Sequence, residues 1–244
     1  MKYLNILFPV YNEEMRLENG IRKTIQYMDH IFLGNYVLTI VDNASVDKTM
    51  EISRALCDEF EQVKYLRLEE KGVGVAFRRG VAENESSIVG YMDVDLSTDL
   101  KHLQQVIDIF RKNTMVDMVN GSRWNRNSDT RGRKWYRSIT SNGLTVLLKI
   151  ILGLKATDSI CGFKFFRKES AERLIHEAGE DENGWFYIIE LLLRAERNNM
   201  KIVELPVHWE DDYNTTVKVF ALIKNYCIQI IRLRKKFINE SRGK

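Results

Sequence analysis

The sequence predicts an α/β domain with a mostly parallel central sheet. Short runs rich in Val, Ile and Leu recur at residues 4–10, 37–41, 63–68, 88–92 and 115–120, and the stretches between them have helical length and periodicity. Strand, helix and strand in succession fold as parallel strands with covering helices. The turn after each run is rich in Asn, Asp, Ser and Gly. In open α/β sheets the ligand lies outside the carboxyl ends of the strands, so chemistry is expected there.

Beyond Asn120 the pattern predicts a helix over residues 135–152, a strand at 163–166, a helix over 185–198, a strand at 202–207 and a final helix from Val217. The only prolines are Pro9 and Pro206, and no Ser/Gly-rich or repetitive stretch marks a linker. We expect one catalytic unit over residues 1–216 and a basic amphipathic helix with its tail over 217–244.

Composition narrows the class. With 44% hydrophobic and 29% charged residues the 244-residue chain has an ample core and is not disordered. A net charge of +3 is too small to argue for nucleic acid. Cys57, Cys161 and Cys227 are odd in number and widely spaced, which predicts neither a disulfide framework nor a zinc site and suits a reducing, cytoplasmic setting. No secretion signal is expected, since the chain enters a strand-like run without a basic and apolar leader. The longest apolar stretch, 144–154, is broken by Lys149 and falls far short of the ~20 residues that span a bilayer.

Four strand-end elements carry chemistry. After the first strand comes Pro9-Val10-Tyr11-Asn12-Glu13-Glu14, and after the second Asp42-Asn43-Ala44-Ser45-Val46-Asp47. The second also reads as an Asx turn and helix cap. The third, Lys71-Gly72-Val73-Gly74 with Gly80 beyond it, has the glycines that a backbone approached closely by a ligand needs. It lacks the dinucleotide fingerprint and the phosphate-loop pattern, which argues against both of those cofactors. The fourth is Asp93-Val94-Asp95. Residues two apart in an extended segment point the same way, so both carboxylates can face one hard cation that bridges phosphates.

Together these elements resemble the inverting family 2 glycosyltransferases of GT-A fold, in particular the dolichyl- and polyprenyl-phosphate mannosyl- and glucosyltransferases. The resemblance runs from about Leu4 to Val217. It implies that Pro9, Tyr11, Asn12, Glu13, Asp42, Ser45, Lys71, Gly72 and Asp93 hold the nucleotide-sugar, and that Asp93 and Asp95 hold Mg2+ or Mn2+, with Asp95 the principal ligand. Where the family often has Asp-Asp-Gly-Ser, this chain has Asp42-Asn43-Ala44-Ser45, one carboxylate fewer.

The second half resembles the polyprenyl-phosphate branch more closely. Gly121-Ser122-Arg123 and Arg137 with Ser141 and Asn142 are similar to its lipid-phosphate site, where planar guanidinium forks match phosphate oxygens. Arg131, Arg133 and Lys134 are either part of it or a solvated basic loop. Asp158-Ser159-Ile160-Cys161-Gly162-Phe163-Lys164 resembles the branch's segment close to the sugar, which makes Asp158 and Lys164 candidates there and leaves Cys161 a small core residue. Glu190 falls where sugar-acceptor relatives carry a Glu-Asp pair whose Asp is the base, and no Asp occupies that place. A phosphate acceptor with its second pKa near 6 is already anionic and needs no base. Asp181 and Glu182 are alternative bases, and His208 is an outside candidate for a further metal ligand.

The implied reaction moves a sugar from a nucleotide-sugar to a polyprenyl phosphate, at the cytoplasmic face of a membrane held peripherally. In the last residues Lys224, Arg232, Arg234, Lys235, Lys236, Arg242 and Lys244 stand against Glu240 alone, and Val219, Phe220, Ile223, Tyr226, Cys227, Ile230, Ile231 and Phe237 recur at helical spacing. The face suits either an anionic bilayer or the core. The alternative functions are extension of a saccharide in cell-surface polysaccharide synthesis, or a nucleotide-sugar-binding module without catalysis.

Overall fold

The computed structural model describes residues 2–131, 135–210 and 219–242, of which 131, 135–141 and 219–224 are described by their backbone alone. Strand and helix alternate through β1 (Leu4–Val10), α1 (Leu17–Phe32), β2 (Tyr36–Asp42), α2 (Thr49–Glu59), β3 (Val63–Arg67), α3 (Val73–Ala82), β4 (Ile88–Met92) and α4 (Lys101–Lys112). There follow β5 (Met118–Ser122), β6 (Asp129–Arg131), α5 (Trp135–Leu152), β7 (Phe163–Arg167), α6 (Lys168–Ala178), α7 (Phe186–Arg197), β8 (Ile202–Pro206), β9 (His208–Glu210) and α8 (Val219–Arg242).

The main sheet has seven strands in the order β3-β2-β1-β4-β7-β5-β8. All neighbours pair in parallel except β7, which runs against both β4 and β5. A small parallel pair, β6 with β9, sits beside it.

Alternation along the strands divides the core into two faces. Leu4, Ile6, Phe8 and Val10 pack with Leu17, Ile21, Ile25 and Met28 of α1 and with Leu103, Val106 and Phe110 of α4. Leu7, Val89, Tyr91 and Phe166 pack on the other face, under α3, α6, α7 and α8. The three- and four-residue spacing of the apolar side chains in α1 and α4 is the stripe a covering helix requires.

α6 was not expected from the sequence. Its buried residues are Ser170, Ala171, Leu174 and Ala178, a narrow stripe of mostly small side chains. α8 puts Tyr226, Ile230, Leu233 and Phe237 into the core beneath α7, so Tyr226, Ile230 and Phe237 of the face that suited either a bilayer or the core are covered by protein. Cys227 and Ile231 of that face are exposed, and the side chains of Val219, Phe220 and Ile223 lie outside the described residues.

Candidate active site

The first two turns of the strand-end surface are built against each other. Asn12 and Ala44 both have left-handed backbone, φ 54° and 60°, which a non-glycine residue keeps only where its surroundings hold it. They are held reciprocally. The Asn12 amide donates to Ser45 Oγ at 2.9 Å, the Val46 amide donates to Asn12 Oδ1 at 2.9 Å, and the Glu13 amide donates to Thr49 Oγ1 at 2.8 Å. Asn12, Glu13 and Ser45 are therefore joined in one polar turn at the carboxyl ends of β1 and β2, with Pro9 half-buried beside them.

Asp42 is wholly buried. Its Oδ1 accepts from the Ser45 amide at 2.8 Å, and its Oδ2 accepts from Tyr65 Oη at 2.8 Å and Arg67 Nη1 at 2.7 Å. These bonds fix the Asp42 carboxylate beneath the turn. Tyr65 and Arg67 were not foreseen; the signal was the register, which sets Arg67 directly across from Asp42. Toward solvent stands the exposed Tyr11 ring, with Lys71 Nζ 3.4 Å from its centroid.

The glycines lie close against neighbouring protein. A Cβ at Gly72 would lie 2.2 Å from Asn183 O, one at Gly74 2.7 Å from Tyr187 Cβ, and one at Gly80 2.6 Å from Leu7 Cδ1. Each glycine thus makes room for neighbouring protein.

At the end of β4, Asp93 and Asp95 are half-buried. Asp95 Oδ1 accepts from the Ser97 amide at 2.9 Å, and Leu96 between them has φ 57°. Burial, and then the charge of Asp95, push the Asp93 carboxyl up to about 7. A carboxyl raised in this way makes the metal-free fold less stable as pH climbs from about 4 through 7. A divalent cation would relieve that repulsion. Among the described residues no three or more His, Cys, Asp or Glu gather as a metal cage. Two carboxylates alone fit a cation that takes its remaining ligands from a diphosphate.

Beneath this pair lies a buried cluster of opposite charges. A Cβ on Gly162 would fall 2.1 Å from Asp93 Oδ2, so that glycine makes room for the carboxylate. Asp158 Oδ2 accepts from Arg123 Nε at 2.7 Å and from the Arg123 amide at 3.1 Å, and its Oδ1 from Arg123 Nη2 at 3.0 Å and the Ile160 amide at 3.0 Å. Burial would raise the Asp158 carboxyl, but the Arg123 charge and hydrogen bonds outweigh it and hold the group at about 2. Lys164 is fully buried, donates to Cys161 O at 2.6 Å and has its pKa lowered by burial. Burial lifts the Cys161 thiol to about 11, in keeping with a core residue. Asp158 and Lys164 thus lie under the site rather than on its surface. Arg123, 7% exposed, is committed to Asp158 and lies 5.4 Å from the Trp209 ring.

Glu190 is not among these groups. It is buried between α7 and α8, where it accepts from Arg194 Nε at 2.8 Å and lies 3.6 Å from Lys236 Nζ. His208 pairs with Asp129 at 3.0 Å and donates its amide to His102 Nε2. The side chains of Arg137 and Ser141, in the first turns of α5, and of Arg131, Arg133 and Lys134 lie outside the described residues.

Comparison with known proteins places the fold and the family. The model of glycosyl transferase family 2 matches residues 5–175. The chain is similar to glycosyltransferase AglD of Haloferax volcanii, 30% identical over 94% of this chain, which spans 36% of that longer protein. It is also similar to the dolichyl-phosphate beta-glucosyltransferase of Dictyostelium discoideum, 26% identical over 97% of this chain and 75% of that one. Dolichyl-phosphate beta-glucosyltransferase ALG5A of Trichomonas vaginalis is 30% identical over 91% of this chain and 70% of its own. Among solved structures, glucosyl-3-phosphoglycerate synthase from Mycobacterium tuberculosis with Mn2+ and UDP-glucose superposes with a TM-score of 0.70 at 16% identity, covering 96% of this chain and 79% of that one. That likeness establishes the GT-A arrangement of the α/β fold. With its Asp-x-Asp pair at the carboxyl end of β4 and this matched span, the chain belongs to glycosyl transferase family 2 and is a glycosyltransferase.

Proposed function

We propose that the protein transfers a sugar from a nucleotide-sugar of the UDP-glucose or GDP-mannose type to a polyprenyl or dolichyl phosphate, inverting the anomeric carbon. The observation that carries this reading is the Asp93 and Asp95 pair at the end of β4, next to β1, whose turn presents Tyr11. The acceptor and the β linkage are supported by the names of the Dictyostelium and Trichomonas relatives.

Tyr11 and Lys71 meet the nucleotide within the wall of Pro9, Asn12, Glu13, Asp42, Ser45 and Gly72. Asp93 and Asp95 would hold Mg2+ or Mn2+, which when bound would neutralise the leaving nucleoside diphosphate. Arg137 and Ser141 take the acceptor phosphate, beside an Arg123 fixed by Asp158. A phosphate oxygen attacks the anomeric carbon as the bond to the diphosphate breaks, so an α-linked donor yields a β-linked lipid phosphate sugar. No general base is required. The carboxylates that a sugar-hydroxyl acceptor would call on are engaged: Glu190 with Arg194, Glu182 with the Gly184 amide and Asp181 with Arg232. An assay with Mn2+, UDP- and GDP-sugars and a short polyprenyl phosphate tests the reading. Product on phosphate-free glycans alone would overturn it in favour of saccharide extension.

Gly162→Ala is expected to displace the Asp93 carboxylate and weaken Mn2+-dependent nucleotide binding roughly 10–100-fold, the cost of disturbing the support of a metal ligand. Calorimetric titration of UDP with Mn2+ reads this out, and unchanged affinity would count against the Asp93 role.

We place the reaction at a membrane surface. No helix among the described residues is long and apolar enough to cross a bilayer. α5 and α8 pack on each other and leave Val146, Ile150, Ile228 and Ile231 more than half exposed, with Lys149, Arg234 and Lys235 exposed among them. Basic residues near an anionic surface contribute about 1 kcal/mol each, and apolar side chains enter the headgroup boundary. Co-sedimentation with anionic vesicles is expected to be salt-sensitive and to weaken in Ile150→Asp with Ile231→Asp. Full-chain protein remaining in the supernatant at low salt would refute the placement.

A further inference from the structure

The turn at residues 179–185 takes no part in the reaction above, yet protein grips it on two sides. Toward the donor pocket, Asn183 O accepts from the Gly74 amide at 2.9 Å, and Arg78 Nη1 donates to Glu182 O at 2.9 Å. Arg78 also donates to Asn183 Oδ1, and its guanidinium lies 4.7 Å from the Tyr187 ring. The turn has a fixed shape of its own, because the Gly184 amide donates to the buried Glu182 carboxylate at 2.7 Å. On the far side α8 holds it: Arg232 donates to Asp181 O at 2.9 Å and pairs with the Asp181 carboxylate at 3.0 Å, and Lys236 donates to Ala178 O.

We propose that this turn positions the donor loop, residues 69–72, and that Arg78 and Arg232 are positioning residues for nucleotide binding. The inference rests on the nucleotide-sugar reading of the pocket. Gly72 and Gly74 are bare so that the loop can lie backbone to backbone on the turn, 2.2 Å and 3.0 Å being the distances a Cβ would leave to Asn183 O and Glu182 O. From there the contacts run into the pocket without a break. The Gly72 amide donates to Asn43 Oδ1 at 3.1 Å, Asn43 Nδ2 donates to Val10 O at 3.1 Å, and Lys71 covers the Tyr11 ring. The place of Lys71 is thus set by a turn more than a hundred residues away in sequence, and the place of that turn by the C-terminal helix. Such a contiguous series of contacts transmits a displacement from one end to the other.

The test is calorimetric titration of the full chain with UDP and Mn2+, and in parallel with GDP and Mn2+, which reads binding without turnover. Arg78→Ala is expected to weaken binding of whichever nucleotide the wild type takes about tenfold, and Arg232→Gln about twofold to threefold, the range seen for residues that couple to a site without touching its ligand. Arg78→Lys, which can still reach one carbonyl, should recover part of the loss. The KM for polyprenyl phosphate and the kcat at saturating donor should stay at wild-type values, a split that general loss of structure cannot produce. Unchanged nucleotide affinity in Arg78→Ala overturns the role of the turn. Should that variant melt early, Arg232→Gln decides, since losing an exposed ion pair leaves the fold intact, and unchanged affinity there overturns the part assigned to α8. A wild type that binds neither nucleotide refutes the nucleotide-sugar reading and the inference with it.

Discussion

Asp95→Asn is expected to lower turnover by roughly 10²–10³-fold, the loss that follows removal of one fixed charge-stabilising contact from a transition state, while leaving the protein folded. The expectation follows from how differently the two carboxylates are used. Asp95 is half exposed, and its hydrogen bond accepts from the Ser97 amide, which an asparagine oxygen can still accept. The turn therefore keeps its shape and loses only a charge. Asp93, by contrast, packs against Gly162, so its replacement would disturb β7 as well. Asp95→Asn is the cleaner experiment: kcat measured across a Mn2+ titration, with the melting temperature as control. A rate near wild type at limiting Mn2+ would remove Asp95 from the site.

Asp158→Ala is expected to destabilise the fold by roughly 3–5 kcal/mol, the cost of stranding a buried charge by deleting its partner. Arg123 is 7% exposed and Asp158 fully buried, so water cannot replace what is lost. For a chain of this size, that corresponds to a fall in melting temperature on the order of 10 °C. Asp158→Leu combined with Arg123→Met should recover most of the stability, because an apolar pair of similar volume leaves no unpaired charge. Catalysis should remain impaired in the pair, since Arg123 adjoins the proposed phosphate site. The same bridge predicts an acid limb. Asp158 is held at about 2 against an ordinary 3.8, chiefly because the Arg123 charge and hydrogen bonds outweigh burial. Its stabilisation is therefore complete above about pH 4 and lost as pH falls toward 2. Loss of that acid limb in the paired variant is the check, and an unchanged limb would show that other carboxylates dominate acid unfolding.

What the sequence determined on its own is what local pattern encodes. Alternation of apolar runs gave the βαβ array, and the position of Asp93 and Asp95 immediately after the run at 88–92 put both at the end of β4. Strand period and turn composition are properties of neighbouring residues, so they survive without any knowledge of partners. Helix α6 escaped because its buried stripe is made of small side chains, and β6 and β9 because three residues show no period.

Only the tertiary structure decided which polar groups are left for a ligand, because each buried polar side chain must be satisfied and its partner comes from far along the chain. Asp42 pairs with Arg67, Arg123 with Asp158, and Glu190 with Arg194 and Lys236, so Asp42, Arg123, Asp158 and Glu190, which resemble binding or catalytic groups in sequence, have their charges met by protein. The glycines of the donor loop also make room for a neighbouring turn, which no local pattern announces. The apolar period of α8 foretold a buried face but not what buries it. Tyr226, Ile230, Leu233 and Phe237 go to the core, and Ile228 and Ile231 are left outside. A helical stripe records that some surface must be removed from water, whereas the choice of surface belongs to the folded molecule.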